Sequence, residues 1–171
     1  DMKKTIYAVV FLALLFSSCA NEFNKVYKST DNNFKYEYAK ECFAKGKYVR
    51  ASTLLQGLVT MQKGSDNAQE SLYMLGMSEF NSRDYEGASA TFKKYCQSYP
   101  KGSYTEEARF LIGMSLYNCT PEPRLDQSQT VNAITAFQEY IDLYPDGKQK
   151  NDAQQRLFEL QDKLVQKELY S

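Results

Sequence analysis

The sequence predicts an all-α protein in which about three and a half helical hairpins stack into a solenoid. Three observations favour this fold class. A segment of 13 residues recurs later in the chain, apolar side chains follow helical spacing over most of the length, and small residues stand where paired helices would cross. Because one hairpin leaves an apolar face uncovered, several hairpins must stack before they form a stable core.

The clearest repeat is the segment 90–102, which recurs 45 residues later as 135–147. In both copies apolar residues recur every three or four positions, as on one face of a helix. Pro100 and Pro145 stand at equivalent places near the end of each copy. Since proline lacks an amide donor and disfavours helix in the residue before it, each copy is predicted to be a helix that ends there.

The most complete hairpin runs from Leu72 to Pro100, with the pattern Leu-x-x-Leu-Gly-x-x-Glu followed by Ala-x-x-x-Phe and a closing proline. This pattern resembles one tetratricopeptide repeat. Gly76 and Ala88 are predicted at the crossing of its two helices, because larger side chains there would push the helices apart. Residues 84–85 are predicted to form the turn between them.

Three further copies flank this hairpin. The one that closes at Pro145 has extra residues at 120–124, which are predicted to form a loop. A degenerate first copy lacks the closing proline, and a fourth begins near Asn151 or Asp152, either of which could cap its helix. We expect the stack to be truncated after this half hairpin rather than capped by it. The seven predicted helices lie near residues 33–45, 48–61, 67–81, 85–98, 104–118, 128–143 and 151–170.

The N-terminus has the features of a secretory signal peptide at residues 1–18. Two lysines precede an apolar run at 6–16, which has 11 residues. A helix needs about 20 apolar residues to span a bilayer, so a permanent transmembrane segment is not expected. The string Leu-Phe-Ser-Ser-Cys at 15–19 resembles the lipobox of bacterial lipoproteins, which implies that Cys19 is acylated and becomes the first mature residue. Residues 19–33 would then carry the lipid and form a linker to the repeat domain at 34–171.

The composition excludes several functional classes. The chain has 21 basic and 21 acidic side chains with no basic stripe, so nucleic-acid binding is not expected. It has no histidine, which removes the commonest general base and the Ser-His-Asp and Cys-His triads. Cys42, Cys96 and Cys119 are widely spaced, which predicts no zinc site and leaves open whether two of them pair. We expect no metal, no cofactor, no small-molecule substrate and no enzymatic activity.

The paired and isolated acids are expected to have structural roles and no catalytic role. Glu70 followed by Ser71 matches only two residues of a lytic-enzyme motif. The pair at 106–107 lies in the first turn of a helix, where carboxylates interact favourably with the helix dipole. Glu79 replaces an aromatic residue typical of the repeat, and a half-exposed ion pair with Arg83 is predicted to stabilise it. The alternative is that Glu79 binds a ligand.

The first helix of each hairpin is predicted to line a concave, protein-binding groove. The predicted side chains are rich in aromatic residues and methionine, which offer large contact areas at low entropic cost. Some of them are expected to pack in the core between repeats instead. We refer to the following set as the candidate groove residues: Tyr36, Lys40, Phe43, Tyr73, Met77, Phe80, Asn81, Phe110, Met114, Tyr117 and Asn118.

The lipobox, the linker and the tandem hairpins together resemble the BamD family of outer-membrane assembly lipoproteins, and the string at 132–141 resembles that family's third repeat. The resemblance implies a lipid-anchored protein on the periplasmic face of the bacterial outer membrane. It would bind a BamA-like barrel subunit and unfolded outer-membrane proteins. Two alternatives remain: a general tetratricopeptide scaffold lipoprotein for cell-wall or secretion machinery, and a carbohydrate-capturing lipoprotein.

Overall fold

The computed structural model describes residue 2 and residues 21–122 and 125–169. The predicted signal peptide, apart from residue 2, and the predicted acylation site Cys19 lie outside these described residues. Two residues of the predicted loop, 123 and 124, also lie outside them. Among the described residues, no helix is both long enough and apolar enough to cross a bilayer.

The all-α fold class is confirmed, since seven helices follow one another and each packs against the next. Their bounds agree with the predicted ones to within about one residue, the usual uncertainty of a helix end. The helices are α1 (Asn32–Ala44), α2 (Tyr48–Met61), α3 (Ala68–Asn81), α4 (Tyr85–Ser98), α5 (Thr105–Asn118), α6 (Ser128–Leu143) and α7 (Lys150–Leu169). A further helical segment at residues 21–28 precedes α1.

The turns inside the first two hairpins have the same construction. The backbone of Gly46 has φ +70°, and Arg83, 37 residues later, has φ +68°. Glycine adopts this left-handed region without strain, whereas Arg83 does so at a cost. The residue after Arg83 is Asp84, whose Oδ1 accepts a hydrogen bond of 3.0 Å from the Gly87 amide and caps α4.

Glycine places the two helices of a hairpin in close contact. A Cβ atom added to Gly76 of α3 would lie 2.6 Å from Cε1 of Phe92 in α4, and one added to Gly113 of α5 would lie 2.7 Å from Cδ1 of Phe137 in α6. Both rings are fully buried. The crossing predicted at Gly76 is therefore present, and the next hairpin repeats it.

The repeated tyrosine and glycine around each proline connect one hairpin to the next. The hydroxyl of Tyr95 accepts a hydrogen bond of 3.2 Å from the Tyr104 amide, and the hydroxyl of Tyr140 accepts one of 3.0 Å from the Gln149 amide. These amides lie at the start of α5 and α7, where helical donors lack partners within the helix. Gly102 leaves room for the hydroxyl, because a Cβ added there would lie 2.7 Å from the Tyr95 oxygen.

Two local features differ from the sequence-based expectation. Residues 21–28 fall within the predicted linker, yet they are helical, and Val26 is only 1% exposed. Helix α7 begins at Lys150, so Asn151 and Asp152 lie inside its first turn and neither is the N-cap. A buried apolar side chain holds the first segment in place, which the polar composition around Val26 did not reveal.

Candidate functional site

The candidate groove residues lie on α1, α3 and α5, the first helices of the three hairpins. They occupy equivalent positions in the three helices, because their numbers differ by 37 residues from one hairpin to the next. Three sets with one residue from each hairpin and a fourth set with two residues can be distinguished, and each has its own environment. The structure therefore places the predicted residues along one side of successive hairpins.

The first set, Tyr36, Tyr73 and Phe110, packs largely between helices. Tyr36 is 2% exposed. The ring of Tyr73 stacks on Tyr104 with 4.2 Å between centroids, and the ring of Phe110 lies 5.6 Å from that of Tyr140. These rings contribute mainly to the core between repeats, so they set the spacing of the hairpins.

The second set, Lys40, Met77 and Met114, lies closer to the surface. The Lys40 ammonium lies 5.0 Å from the centroid of the Tyr36 ring and 3.4 Å from a Glu37 carboxylate oxygen. Met77 and Met114 are partly buried against the core. Flexible thioether side chains at this depth can adapt to an apolar side chain of a bound polypeptide.

The third set lies near the C-terminal ends of the same helices. The ring of Phe43 contacts Tyr48 at 5.6 Å, and the ring of Phe80 contacts Tyr85 at 5.3 Å, in each case edge to face across the hairpin turn. Both phenyl rings are half-buried. Tyr117, the third member, instead contacts α7 through its hydroxyl group.

Asn81 and Asn118 follow this set and are exposed. In each, the Nδ2 group donates a 2.8 Å hydrogen bond to a carbonyl four residues earlier, that of Met77 or Met114. This bond fixes the amide plane and uses one of the two N–H donors of the group. The amide oxygen is left to accept a hydrogen bond from a bound chain.

Carboxylates accept hydrogen bonds from tyrosines of the candidate groove set, a role that the sequence reasoning did not predict for them. Tyr36 donates a 2.7 Å hydrogen bond to Glu70 in the first turn of α3. Burial, and next this bond, raises the pKa of Tyr36. Burial together with a hydrogen bond to Glu107 likewise raises the pKa of Tyr73. The signal available in the sequence was the position of both acids near predicted helix starts; Glu107 was assigned to the helix dipole alone, and Glu70 was considered only for catalysis.

The hydroxyl of Tyr117 joins α5 to α7. It donates a 2.6 Å hydrogen bond to Glu159, and the Arg156 guanidinium lies 2.9 Å from the same carboxylate oxygen and 5.0 Å from the ring centroid. The hydrogen bond from Tyr117, and next that from Arg156, lowers the pKa of Glu159. The Tyr117 side chain thus takes part in a contact between hairpins, which leaves less of it available to a bound chain.

The predicted ion pair between Glu79 and Arg83 is wrong. Glu79 is 5% exposed, and its oxygen Oε2 has no hydrogen-bond partner among the described residues. Arg83 is exposed in the left-handed turn, where its side chain forms no ion pair with a described carboxylate. Burial raises the pKa of Glu79, and hydrogen bonds from Thr91 and Gln56 offset part of this increase. The turn geometry carries Arg83 away from the helix face on which Glu79 lies.

The cysteines occupy different environments. Cys42 and Cys96 are buried, Cys119 is half-buried, and all three are free thiols. Burial raises the pKa of Cys96, whose Sγ lies 3.9 Å from the Thr105 carbonyl oxygen. These side chains act as small apolar groups in the helix packing.

A surface cavity of about 460 Å³ lies where α4 and α6 flank α5, on a side of the stack without candidate groove residues. Its floor is apolar, with Ile112 and Leu116, and its rim carries the cations Lys93 and Arg109 together with Glu139. The sequence offered no signal for it, because its lining comes from three helices that only the stacking brings together.

The comparisons with known proteins point to a family of outer membrane lipoproteins. A family model described as "YfiO: Outer membrane lipoprotein" matches residues 28–171. The chain is also similar to a protein of Caulobacter vibrioides named outer membrane protein assembly factor BamD, with 21% identity over 165 residues. The match covers 95% of this chain and 54% of the relative, so the chain spans about half the length of the curated relative that it matches.

Proposed function

Because this chain belongs to the YfiO family of outer membrane lipoproteins, we propose that it is a lipid-anchored adaptor of the machinery that assembles outer-membrane β-barrel proteins. In this proposal Cys19 carries the lipid on the periplasmic face of the outer membrane. The candidate groove residues bind unfolded barrel precursors, and the stack also binds a BamA-like barrel subunit. The protein acts by binding alone, without catalysis or a cofactor. The family match over residues 28–171 is the observation that carries the proposal.

The arrangement of the groove supports binding of an extended polypeptide. Asn81 and Asn118 present equivalent exposed amide groups on successive hairpins, each held by its own helix. Met77 and Met114 lie one helical turn earlier and offer adaptable apolar contacts. A chain laid across the hairpins would meet alternating hydrogen-bond acceptors and apolar side chains, which suits unfolded segments of varied sequence.

Photocrosslinking tests the groove directly. A photoreactive amino acid at position 81 or 118 should form adducts with an unfolded outer-membrane barrel precursor. The matched control is position 94, where Lys94 is exposed on α4, the second helix of a hairpin. Equal adduct yields at positions 94 and 118 would refute a groove on the α3 and α5 side.

Co-purification separates this proposal from a general scaffold for cell-wall or secretion machinery. The protein is recovered from detergent-solubilised envelopes, and its partners are identified by mass spectrometry. Recovery of a BamA-like barrel subunit is the expected result. Recovery of a cell-wall enzyme or secretion component without the barrel subunit would favour the scaffold instead.

A further inference from the structure

The helical segment at residues 21–28 is a packed part of the fold. Val26 is 1% exposed and lies in the core formed with α1 and α2. The ring of Phe23 lies 6.5 Å from that of Tyr38 and 5.4 Å below the Arg50 guanidinium. Because Phe23 and Val26 are three residues apart, they share the side of the helix that faces the first hairpin. The rest of the segment therefore has a fixed orientation.

The opposite side of this segment carries two exposed lysines, and one exposed carboxylate, Glu22, lies three residues before the first of them. Lys25 and Lys28 are exposed and three residues apart, so they lie on one side of the helix, away from Val26. Tyr27, at the edge of the packed side, is 53% exposed although its ring stacks at 6.2 Å on that of Phe23. An amphipathic aromatic ring beside exposed lysines is the composition of helices that lie in a membrane interface.

The neighbouring helices extend this surface. Tyr27 lines a surface cavity of about 490 Å³ together with Lys35 of α1 and Met61 of α2. Met61 is 65% exposed at the end of its helix. None of Lys25, Lys28 and Lys35 forms an ion pair with a carboxylate among the described residues. The nearby Asp31 uses its carboxylate to cap α1 through a 3.0 Å bond from the Phe34 amide.

We propose that this surface, formed by Lys25, Tyr27, Lys28, Lys35 and Met61, lies on the bilayer and binds the headgroups of anionic phospholipids. We call it the basal surface. Unpaired lysines complement the negative headgroups, while Tyr27 and Met61 enter the boundary between headgroups and acyl chains. The basal surface fixes the orientation of the first hairpin, so the stack stands at a defined angle instead of swinging on a flexible tether.

The distance along the chain is compatible with this contact. Residue 21 follows Cys19 by two positions, and six helical steps then lead to Tyr27. With at most about 3.6 Å for each extended residue and 1.5 Å for each helical one, Tyr27 lies within about 16 Å of the acylated residue. This distance argument rests on the lipid anchor at Cys19, which is part of the proposed function.

The absence of tryptophan from the sequence allows a specific optical test. Tyr27→Trp places a single indole on the basal surface, and Phe158→Trp places one at a position that is 72% exposed on α7, the last helix of the stack. Each full-length variant is produced as a lipoprotein and reconstituted in vesicles that contain phosphatidylglycerol and dibrominated lipid. Bromine quenches only an indole in contact with the bilayer. Strong quenching with Tyr27→Trp and little with Phe158→Trp is the expected result.

The charge requirement is tested in the Tyr27→Trp background. Lys25→Gln with Lys28→Gln should lower the ratio of docked to undocked protein about 25-fold, since each lysine near an anionic surface strengthens association about fivefold. The matched control is Lys93→Gln with Lys94→Gln, two exposed lysines on α4, and it should leave quenching unchanged. Vesicles in which all unbrominated and brominated lipids are zwitterionic should lower the quenching of the indole at position 27 as Lys25→Gln with Lys28→Gln does.

Vesicle flotation distinguishes the possible failures. Protein that does not float has no anchor, and the proposed function fails. If the protein floats but the indole at position 27 is not quenched, the anchor is present and the basal surface does not contact the bilayer. This result would overturn the proposal and leave the surface available to a protein subunit. Quenching that is equal at positions 27 and 158, or unaffected by both lysine pairs, would also overturn it.

Discussion

Two glycines with the same backbone conformation but different surroundings show what the hairpin crossing requires. Gly76 in α3 meets the buried ring of Phe92, whereas a Cβ added to Gly57 in α2 would meet nothing within 4 Å. Alanine is favoured over glycine inside a helix by about 1 kcal/mol. Glycine at position 76 can therefore give a more stable protein than alanine only because the helices pack closely there.

Gly76→Ala is expected to destabilise the protein by about 1–2 kcal/mol, because overpacking a tight core costs about 1–3 kcal/mol and exceeds the gain in helix propensity. Gly57→Ala is the matched control and should stabilise by up to about 1 kcal/mol. Urea unfolding measures both. Phe92→Leu should reduce the penalty of Gly76→Ala in a double-mutant cycle. Equal stability of the two alanine variants would contradict the steric explanation.

At the scale of helices, Glu79 is a polar group at the junction of three elements. It projects from α3 towards Gln56 of α2 and Thr91 of α4. The equivalent position in the next hairpin, 37 residues later, is Leu116. The chain thus has a carboxyl group where a neighbouring repeat has an aliphatic side chain, and one carboxyl oxygen has no hydrogen-bond partner in the part of the chain that the structure describes.

Glu79→Gln is expected to stabilise the fold at neutral pH by about 1–3 kcal/mol, because it removes a buried charge that is incompletely hydrogen-bonded. The pKa of Glu79 is higher in the folded than in the unfolded chain. The folded state therefore binds more protons, and the stability of the native protein falls as pH rises from the usual carboxyl range through the raised pKa. Denaturant unfolding from pH 4 to pH 8 measures this slope, which Glu79→Gln should reduce.

The control for this prediction is Glu139→Gln, at an exposed position of α6. A substitution there should change stability by less than about 0.5 kcal/mol. If Glu79→Gln is no more stabilising at neutral pH than Glu139→Gln, the carboxylate of Glu79 is fully hydrogen-bonded in solution and the prediction is wrong.

At the scale of the whole molecule, each helix packs on its neighbours in the chain, as expected for a solenoid. The middle helices are covered on two sides, whereas α7 packs mainly on α6. On its outer side α7 carries a row of exposed apolar residues, with Phe158 72%, Val165 58% and Leu169 80% exposed. Local stability in such a stack follows the number of covered faces.

Hydrogen exchange followed by NMR should therefore show a gradient along the stack. Amides of α4 and α5 are expected to exchange slowest, and those in the second half of α7 fastest, because opening the last helix exposes the least buried surface. Helices α4 and α5 have 14 residues each and α7 has 20, so protection is compared for each amide at the same distance from a helix end. Equal protection of α4 and α7 would show that the domain opens as one cooperative unit.

The extent to which the sequence predicted the fold can be seen from particular residues. Helical spacing and the prolines were sufficient for all seven helices from α1 onward, since these are local signals. Gly76 correctly indicated the crossing with Phe92. The ion pair of Glu79 with Arg83 was wrong, because spacing along a helix does not anticipate a left-handed turn that redirects the second residue.

For the candidate site, the sequence placed the candidate groove residues on the first helices of the hairpins but did not indicate how deeply they are buried. Tyr36 and Tyr73 could be assigned to the first helices by their spacing, yet their hydrogen bonds to Glu70 and Glu107 join residues 34 positions apart. Such contacts depend on the angle at which one hairpin stacks on the next. No local pattern encodes that angle.

The sequence by itself determined the helical hairpins, their order and the family resemblance, because helical periodicity and turn residues act over a few positions. The tertiary structure alone decided the burial of Val26 and Glu79 and the cavity between α4 and α6. Burial depends on which surfaces meet when hairpins stack, and this is a property of several distant segments at once. The basal surface follows from that stacking, since the side on which Val26 is buried sets which residues of its segment face outward.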